Sequence, residues 1–418
     1  MKISILCVGT RGDVQPNLAL AIALKKRGHD VVLGAPDNFK KWVESYDIAF
    51  YPMGIDMEAF LQSPEAKQLM AGNWFALRKL WRKMIVPMMQ GTLNAVWEAS
   101  RDADVILYHP KAQGAIDVAE ATGATAIYAT PVPIFTTGAF PILTMSWNLG
   151  RWLNKFTYKL MMLSRIIFHG TIGRWRQRVL GLDKGPWFVP LEGYGKVLCS
   201  VSPSVVQLLP EDYGRIHMTG YWFLDEGLDW KPNEELQAFL DAGEAPVYIG
   251  FGSMTTLDPG KVTTEVIDGI QRAGVRAILA TGWGAMDKQD VPENIHVIES
   301  APHQALFKHV CAVVHHGGAG STSAGLRAGK PTLICPMAVD QPFWGRKVYD
   351  LGCGPRHLHL KKLKGKVFGE RLKDLVSTES YRVQARKIAG NIALEDGIGE
   401  AIQVIEGSSP KKYSESKV

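Results

Sequence analysis

Three short stretches of this chain carry residue types at spacings that suit chemistry on a phosphorylated, hydroxylated ligand. The first is Cys311-Ala312-Val313-Val314-His315-His316-Gly317-Gly318-Ala319-Gly320-Ser321-Thr322, an apolar strand that turns through glycines into a helix expected from Ser323 to Ala328. Small residues let the backbone approach a ligand closely, and a helix start presents unpaired N–H groups and a positive dipole end to a diphosphate. His316 adds a side-chain donor or cation, and Ser321 and Thr322 add hydroxyls. The same pattern also fits a plain strand-to-helix turn capped by Ser321. The second stretch, Ala328-Gly329-Lys330-Pro331, leads into a strand ending in Cys335-Pro336-Met337-Ala338-Val339-Asp340-Gln341-Pro342. Asp340 and Gln341 stand beyond the carboxyl end of that strand, where open α/β sheets bind ligands. A carboxylate beside an amide suits the vicinal hydroxyls of a sugar; taken alone, Asp340 is also an ordinary helix start. The third stretch, Gly9-Thr10-Arg11-Gly12-Asp13-Val14-Gln15-Pro16, follows the first strand. There Gly12 frees the backbone and Asp13 opens the next helix, as an N-cap or as a reactive carboxylate. His109, in Tyr108-His109-Pro110, ends another strand at the same edge.

The elements that must position these residues alternate between short apolar, β-branched runs and helix-like stretches, the signature of a parallel sheet. In the first half the runs are Ile3 to Val8, Asp30 to Leu33, Ile48 to Tyr51, Val105 to Tyr108, Thr125 to Tyr128 and Val197 to Val201. In the second they are Val247 to Phe251, Ala277 to Leu279, His296 to Ile298, Ala312 to His315, Pro331 to Cys335 and Gly352 to Leu360. The fold class is therefore α/β, with two Rossmann-like halves whose parallel sheets face each other across a cleft. The expected boundaries are an N-terminal domain over 1–218, a linker over 219–245 and a C-terminal domain over 246–385. A last helix over 386–407 is expected to pack back on the N-terminal domain, followed by a mobile tail over 408–418.

A chain of 418 residues with 46% apolar side chains is too long for one ordinary domain and too evenly mixed for disorder. Its net charge of +6 favours anionic partners. Nucleic acid is not among them: the basic cluster Lys361-Lys362-Leu363-Lys364-Gly365-Lys366 is short and accompanies no reading module. The cysteines Cys7, Cys199, Cys311, Cys335 and Cys353 are scattered and odd in number, which points to thiols in a reducing compartment. The opening residues run straight into a strand, with no signal-peptide pattern, and no run reaches the ~18 apolar residues of a membrane span. A cytoplasmic location follows as the expectation, with peripheral contact to membranes.

The stretch from Pro302 through Gln341 resembles the donor-binding signature of the GT-B superfamily of UDP-sugar glycosyltransferases. The opening Gly9 to Pro16 resembles the start of its sterol and antibiotic glycosyltransferase branch, in family GT1. The resemblance spans Met1 to about Glu406 and is vaguest between Asp56 and Val197. It implies that His316, the backbone of Gly318 and Gly320, Ser321 and Thr322 hold the diphosphate, and that Asp340 and Gln341 hold the hexose. It further implies that Ser253 approaches the phosphates and that Ala301 and His303 line the base pocket; Arg11 and Gly12 are placed with the donor-binding residues. Plant members carry Trp where this chain has Ser300 and a ribose-binding Glu where it has Ala324, so base stacking must come from elsewhere. Trp283 is the candidate, or else a core or surface Trp. Plant relatives use a His as general base in Gly-His-x-x-Pro, where this chain has Gly12-Asp13-x-x-Pro16, which assigns the base role to Asp13. His109 is then its partner in a swapped dyad, or a structural or acceptor-pocket histidine. An exposed carboxyl titrates near 4 and is a feeble base, so transfer needs concerted loss of the leaving group or a pKa raised by burial.

The implied activity is inverting, metal-independent transfer of a hexose, first of all glucose from UDP-glucose, to a hydroxyl of an apolar acceptor, without a cofactor beyond the UDP-sugar. The alternatives are a glycosyltransferase for a polyketide, flavonoid or glycolipid acceptor, a UDP-sugar epimerase on the same fold, and a silent nucleotide-sugar-binding protein. Asp102-Ala103-Asp104 spells a metal-binding DxD, but it precedes its strand and so belongs at the wrong end of the sheet. Every Gly-Lys pair is followed by Val or Pro, so no Walker A loop exists. From Ala121 to Leu182 the chain has no acidic residue. Between Gly150 and Leu182, basic residues interleave with aromatics, methionines and leucines. This suits helices that line an apolar acceptor pocket and turn a basic face toward anionic headgroups, or ordinary amphipathic packing. A sterol or similar polycyclic lipophile is the expected acceptor.

Overall fold

The computed structural model describes residues 1–54, 84–145, 147–160, 163–190, 192–227, 229–252, 259–280 and 291–408. These residues form two parallel sheets. The first is built from β1 (Lys2–Leu6), β2 (Asp30–Ala35), β3 (Ala49–Pro52), β4 (Val105–Tyr108), β5 (Thr125–Thr130), β6 (Val197–Cys199) and β7 (Ile216–Met218). Its spatial order is β3-β2-β1-β4-β5-β6-β7. The second is built from β8 (Val247–Gly250), β9 (Ala277–Ala280), β10 (Ile295–Ile298), β11 (Ala312–His315) and β12 (Thr332–Ile334), in the order β10-β9-β8-β11-β12. Central strands such as Val105–Tyr108 are buried along their whole length, because helices cover both faces of a parallel sheet.

In both sheets the order reverses beside the strand that carries a functional motif. β1 pairs with β2 on one side and β4 on the other, and Leu6 lies level with Tyr108, so the loops bearing Asp13 and His109 leave the sheet side by side. β11 likewise lies between β8 and β12, with His315 level with Gly250 and with Ile334. Such reversals open a crevice at the carboxyl ends of the strands.

Two strand expectations change. Ile216–Met218 is a strand, whereas Gly352 to Leu360 is not. Thr332 N–H bonds to Cys353 O, and Leu358 N–H to Ile334 O, but a Cβ on Gly354 would lie 1.9 Å from Thr332 O, and Pro355 has no N–H to continue a ladder. The segment turns past β12 instead of pairing along it.

The helix Gly397–Glu406 crosses to the first sheet and buries Ala401, Ile402 and Ile405 beside Val14, Leu18 and Leu20. Glu406 is paired with Arg27 (3.0 Å) and His29 (3.1 Å), and Trp222 Nε1 donates to Gly397 O (3.1 Å).

The acid-free segment departs from its expected orientation. In the helix Arg151–Lys159, Asn154, Thr157 and Tyr158 are buried, while Trp152, at 84% exposure, and Leu153 and Phe156 face outward. The polar side grips the preceding loop: Asn154 Nδ2 donates to Gly138 O (2.9 Å), Ile142 N–H to Thr157 Oγ1 (2.9 Å) and Tyr158 OH to Pro141 O (3.2 Å). Arg151 and Lys155 turn to Glu211. Arg176 is fully buried against Asp117 and also reaches Glu120 and Asp183, acids just outside the segment. Among the described residues no helix is long and apolar enough to cross a membrane, and all five cysteines carry free thiols.

Candidate active site

The helix Arg11–Lys26 opens with Thr10 as N-cap, and Asp13 occupies the third helical position rather than the cap itself. Thr10 N–H donates to Asp13 Oδ2 (2.8 Å), closing the first turn as in a capping box. The fold-back needs the glycine at position 9, where a Cβ would lie 2.0 Å from Asp13 Oδ2. Asn17 Nδ2 donates to Asp13 O (2.9 Å) and fixes the backbone beneath it.

His109 is buried at the end of β4, with its N–H bonded to Leu6 O (2.9 Å). Its Nδ1 accepts from Lys111 N–H (3.3 Å), which places the ring proton on Nε2. Nε2 faces Asp13 Oδ1 at 3.2 Å without hydrogen-bond alignment. Lys111 Nζ stands 3.5 Å from Asp13 Oδ2. Burial pushes the Asp13 carboxyl up, but His109, the Lys111 charge and the Thr10 N–H together outweigh it and hold the carboxyl below its ordinary value. A basicity raised by burial is therefore not what this environment provides. The carboxylate is ionised and weakly basic, and proton transfer to it has to accompany departure of the leaving group.

Facing this edge, the helix Ala319–Arg327 begins four residues earlier than expected, with Gly318 as N-cap. Gly320, Ser321 and Thr322 thus lie inside its first turn, and Ser321 is not the cap. Thr322 is buried and donates to Gly318 O (2.9 Å), so its hydroxyl is used within the helix. The N–H groups of Ala319, Gly320 and Ser321 precede the first intrahelical bond and point out of the helix start. The His316 ring lies against two glycines: a Cβ on Gly318 would come within 2.7 Å of Nε2, and one on Gly252 within 3.1 Å of Cε1. Burial lowers His316 to about 4, and its Nδ1 has no hydrogen-bond partner among the described residues. His315, fully buried behind it, accepts Gly317 N–H at Nδ1 (3.0 Å).

Asp340 occupies the N-cap position of the helix Gln341–Asp350 without a side-chain capping bond, and its Oδ2 accepts Trp344 Nε1–H (2.9 Å) instead. Burial raises the Asp340 carboxyl; Trp344 opposes this, the charge of Asp13 adds to it, and that of Lys111 opposes it. The charge of Asp13 thus reaches Asp340 across the cleft, where Phe140 from the first wall meets Phe343 from the second with rings 5.3 Å apart. Gln341 Oε1 accepts Met337 N–H (2.7 Å) and Ala338 N–H (3.2 Å), so its carbonyl braces the loop in which Val339 takes a left-handed φ of 59°. His303 stacks on Phe307 (4.7 Å) and meets Tyr248 OH at Nε2 (3.3 Å); burial lowers it to about 4, with His316 and Arg11 nearby. Ala301, two residues before it, is half-buried.

Residues 3–141 match the glycosyltransferase family 28 N-terminal domain, and residues 266–406 match the erythromycin biosynthesis protein CIII-like C-terminal domain. Over 97% of its length the chain is 34% identical to a sterol 3-beta-glucosyltransferase of Aspergillus fumigatus, and over 97% it is 35% identical to one of Neurospora crassa. It spans 30% and 27% of those relatives, respectively. The backbone is similar to the glycosyltransferase of kitacinnamycin, with TM-score 0.73 and 18% identity over 98% of this chain and 99% of that one. It is also similar to the calicheamicin glycosyltransferase CalG4, with TM-score 0.69 and 19% identity over 97% and 98%.

The chain has the GT-B fold.

Several expected donor contacts of this GT-B chain are otherwise engaged. Arg11 pairs with Glu226 in the linker (2.5 Å) and lies over the Trp42 ring (4.6 Å). Gly12 is helical and exposed, and among the described residues a Cβ there would meet nothing closer than Thr10 Oγ1 at 3.8 Å. Ser253 and Trp283 lie outside the described residues. Asp104 Oδ2 accepts Lys2 N–H (2.8 Å) at the end of the sheet away from Asp13, and Asp102 lies beside Arg101 (4.0 Å). Among the described residues no group of three or more His, Cys, Asp or Glu side chains is arranged to hold a metal ion. Sequence reasoning missed Lys111 and Trp344. Both carry a local signal: Lys111 follows the strand-end His109 by two residues, and Trp344 lies one helical turn after Asp340.

Proposed function

We propose that this chain is an inverting, metal-independent transferase that moves a hexose, first of all glucose from UDP-glucose, onto a hydroxyl of an apolar acceptor such as a sterol. The reading is carried by two strand-end sites on walls that meet at Phe140 and Phe343 (5.3 Å), Asp13 beside His109 on one and Asp340, His316 and the open start of Ala319–Arg327 on the other. The diphosphate lies at that helix start, beside His316, and Asp340 holds sugar hydroxyls. The acceptor oxygen bonds to the anomeric carbon opposite the diphosphate while the carbon–phosphate-oxygen bond breaks. The acceptor proton passes to Asp13, oriented by His109, and the leaving charge meets His316 and the helix N–H groups. Similarity to the two fungal sterol 3-beta-glucosyltransferases supports a sterol as first acceptor to test. The test is a panel of UDP- and TDP-sugars against sterol, flavonoid, macrolide and lipid acceptors, read by mass spectrometry. A β-glycoside with free nucleoside diphosphate is expected, and Asp13→Asn should lower turnover by about 10²- to 10⁴-fold with donor affinity kept. A new UDP-sugar epimer, or binding without turnover, refutes the reading.

The acceptor and the outward apolar helix fit a peripheral membrane location. Trp152, Leu153, Phe156 and Leu160 expose a continuous apolar strip, whose polar reverse side grips the loop carrying Phe140 into the cleft. Aromatic rings on an otherwise polar-backed helix match the interface of a bilayer. Sedimentation with anionic and neutral vesicles should show binding that persists at high salt, because the contact is apolar rather than electrostatic. Trp152→Glu with Phe156→Glu should abolish it. Self-association of the chain in place of vesicle binding overturns this part.

A further inference from the structure

The chain between the two sheets touches both walls of the cleft within five residues. On the first wall, Glu226 accepts three side-chain donors: Arg11 Nη2 (2.5 Å), Trp42 Nε1 (2.5 Å) and Tyr46 OH (2.8 Å). On the second, its neighbour Asp225 pairs with Arg327 (3.0 Å), whose guanidinium covers the Phe223 ring (4.2 Å). Leu224 O accepts Gln304 Nε2–H (2.9 Å), and Gly227, at φ +67°, lies so close to Pro302 that a Cβ would come within 2.8 Å of its ring. The partners are not scattered. Arg11 is the first residue of the helix that carries Asp13, Pro302 and Gln304 flank His303, and Arg327 ends the helix whose start is offered to the diphosphate.

We propose that Phe223–Gly227 is a clasp that sets the spacing between Asp13 and the donor site, with Glu226 as its positioning residue and Arg11 as the arm through which it acts. The inference rests on the transferase reading above. It reassigns Arg11 from donor contact to domain registration. A carboxylate that takes three donors from one wall, inside a strand of chain bonded to the other, transmits any shift of the donor helix to the first turn of the Asp13 helix. Reacting groups misplaced by about 1 Å lose on the order of 10²-fold in rate, so the clasp controls turnover without touching substrate.

The test uses Glu226→Gln, which keeps shape and removes the charge that holds Arg11. Turnover should fall by about 10- to 100-fold, with nucleotide diphosphate affinity by calorimetry unchanged. Spin labels at Lys26→Cys and Lys387→Cys should report a broadened distance distribution between the two halves. The charge-exchanged pair Arg11→Glu with Glu226→Arg should recover part of the turnover and narrow the distribution again. Wild-type turnover and an unchanged distribution in Glu226→Gln overturn the clasp. So does a turnover loss matched by an equal loss of folded protein, measured by circular dichroism at assay temperature. Should Asp13→Asn turn over normally, the transferase reading fails, and the distance measurement still decides the clasp by itself.

Discussion

The depressed His316 makes donor binding pH-linked in a direction that can be computed. In the free protein, burial lowers its pKa from the ordinary 6.5 to about 4, so the ring is neutral at neutral pH. A diphosphate bound beside it stabilises the protonated form and raises the pKa. Because the protonated ring binds the anion better, affinity rises as pH falls through the bound-state pKa and levels off below the free-state one. If the diphosphate only restores the ordinary value, the linkage relation makes UDP-glucose bind about 20-fold tighter at pH 5 than at pH 7. UDP-glucose is the right probe, because a terminal phosphate such as that of UDP titrates near pH 6 and would confound the slope. Calorimetry in buffers of different ionisation enthalpy should also show proton uptake at pH 5 to 6. His303, lowered to about 4 as well, stacks on Phe307 and meets Tyr248, and buried His315 is held neutral; His316→Gln isolates the responsible ring. Affinity independent of pH in the parent protein, or the same slope in His316→Gln, refutes the reasoning.

Three further outcomes are expected. Trp344→Phe removes the indole donor from Asp340 Oδ2 and should raise the UDP-glucose KM about tenfold, in line with the loss of a hydrogen bond to a charged group, while UDP affinity stays constant. Replacing buried Arg176 by Met leaves Asp117 buried without its guanidinium and should destabilise the protein by about 3–5 kcal/mol in denaturant titration. EDTA should leave transfer intact; reversible loss restored by a divalent cation would return Asp102 and Asp104 to consideration.

Much of the architecture was legible because parallel strands buried on both faces read as unbroken apolar runs, as in Val105–Tyr108 and Ala312–His315. The three-residue edge strand Ile216–Met218 has a histidine at its centre and offers no such run. Gly352 to Leu360 has the apolar content of a strand, but its glycines and proline serve a turn against β12. The meeting of Asp13 and His109 follows from two strand ends adjacent in register, which topology rules supply. Arg11 pairing with Glu226, more than two hundred positions away, has no local trace. The face of Arg151–Lys159 was misread for a different reason: periodicity identifies an amphipathic helix, but only packing decides which side is buried. Here, hydrogen bonds to the Gly138–Ile142 loop bury the polar one.

The return of the helix Gly397–Glu406 to the first sheet has a practical consequence for engineering. Relatives of this fold invite chimeras that join the acceptor half of one to the donor half of another at the linker. In this chain, such a cut would hand Val14, Leu18 and Trp222 a foreign helix, and Arg27 and His29 a foreign residue in place of Glu406. A graft that carries residues 397–406 along with the first half keeps those contacts native and should yield soluble hybrids where the single-junction version aggregates.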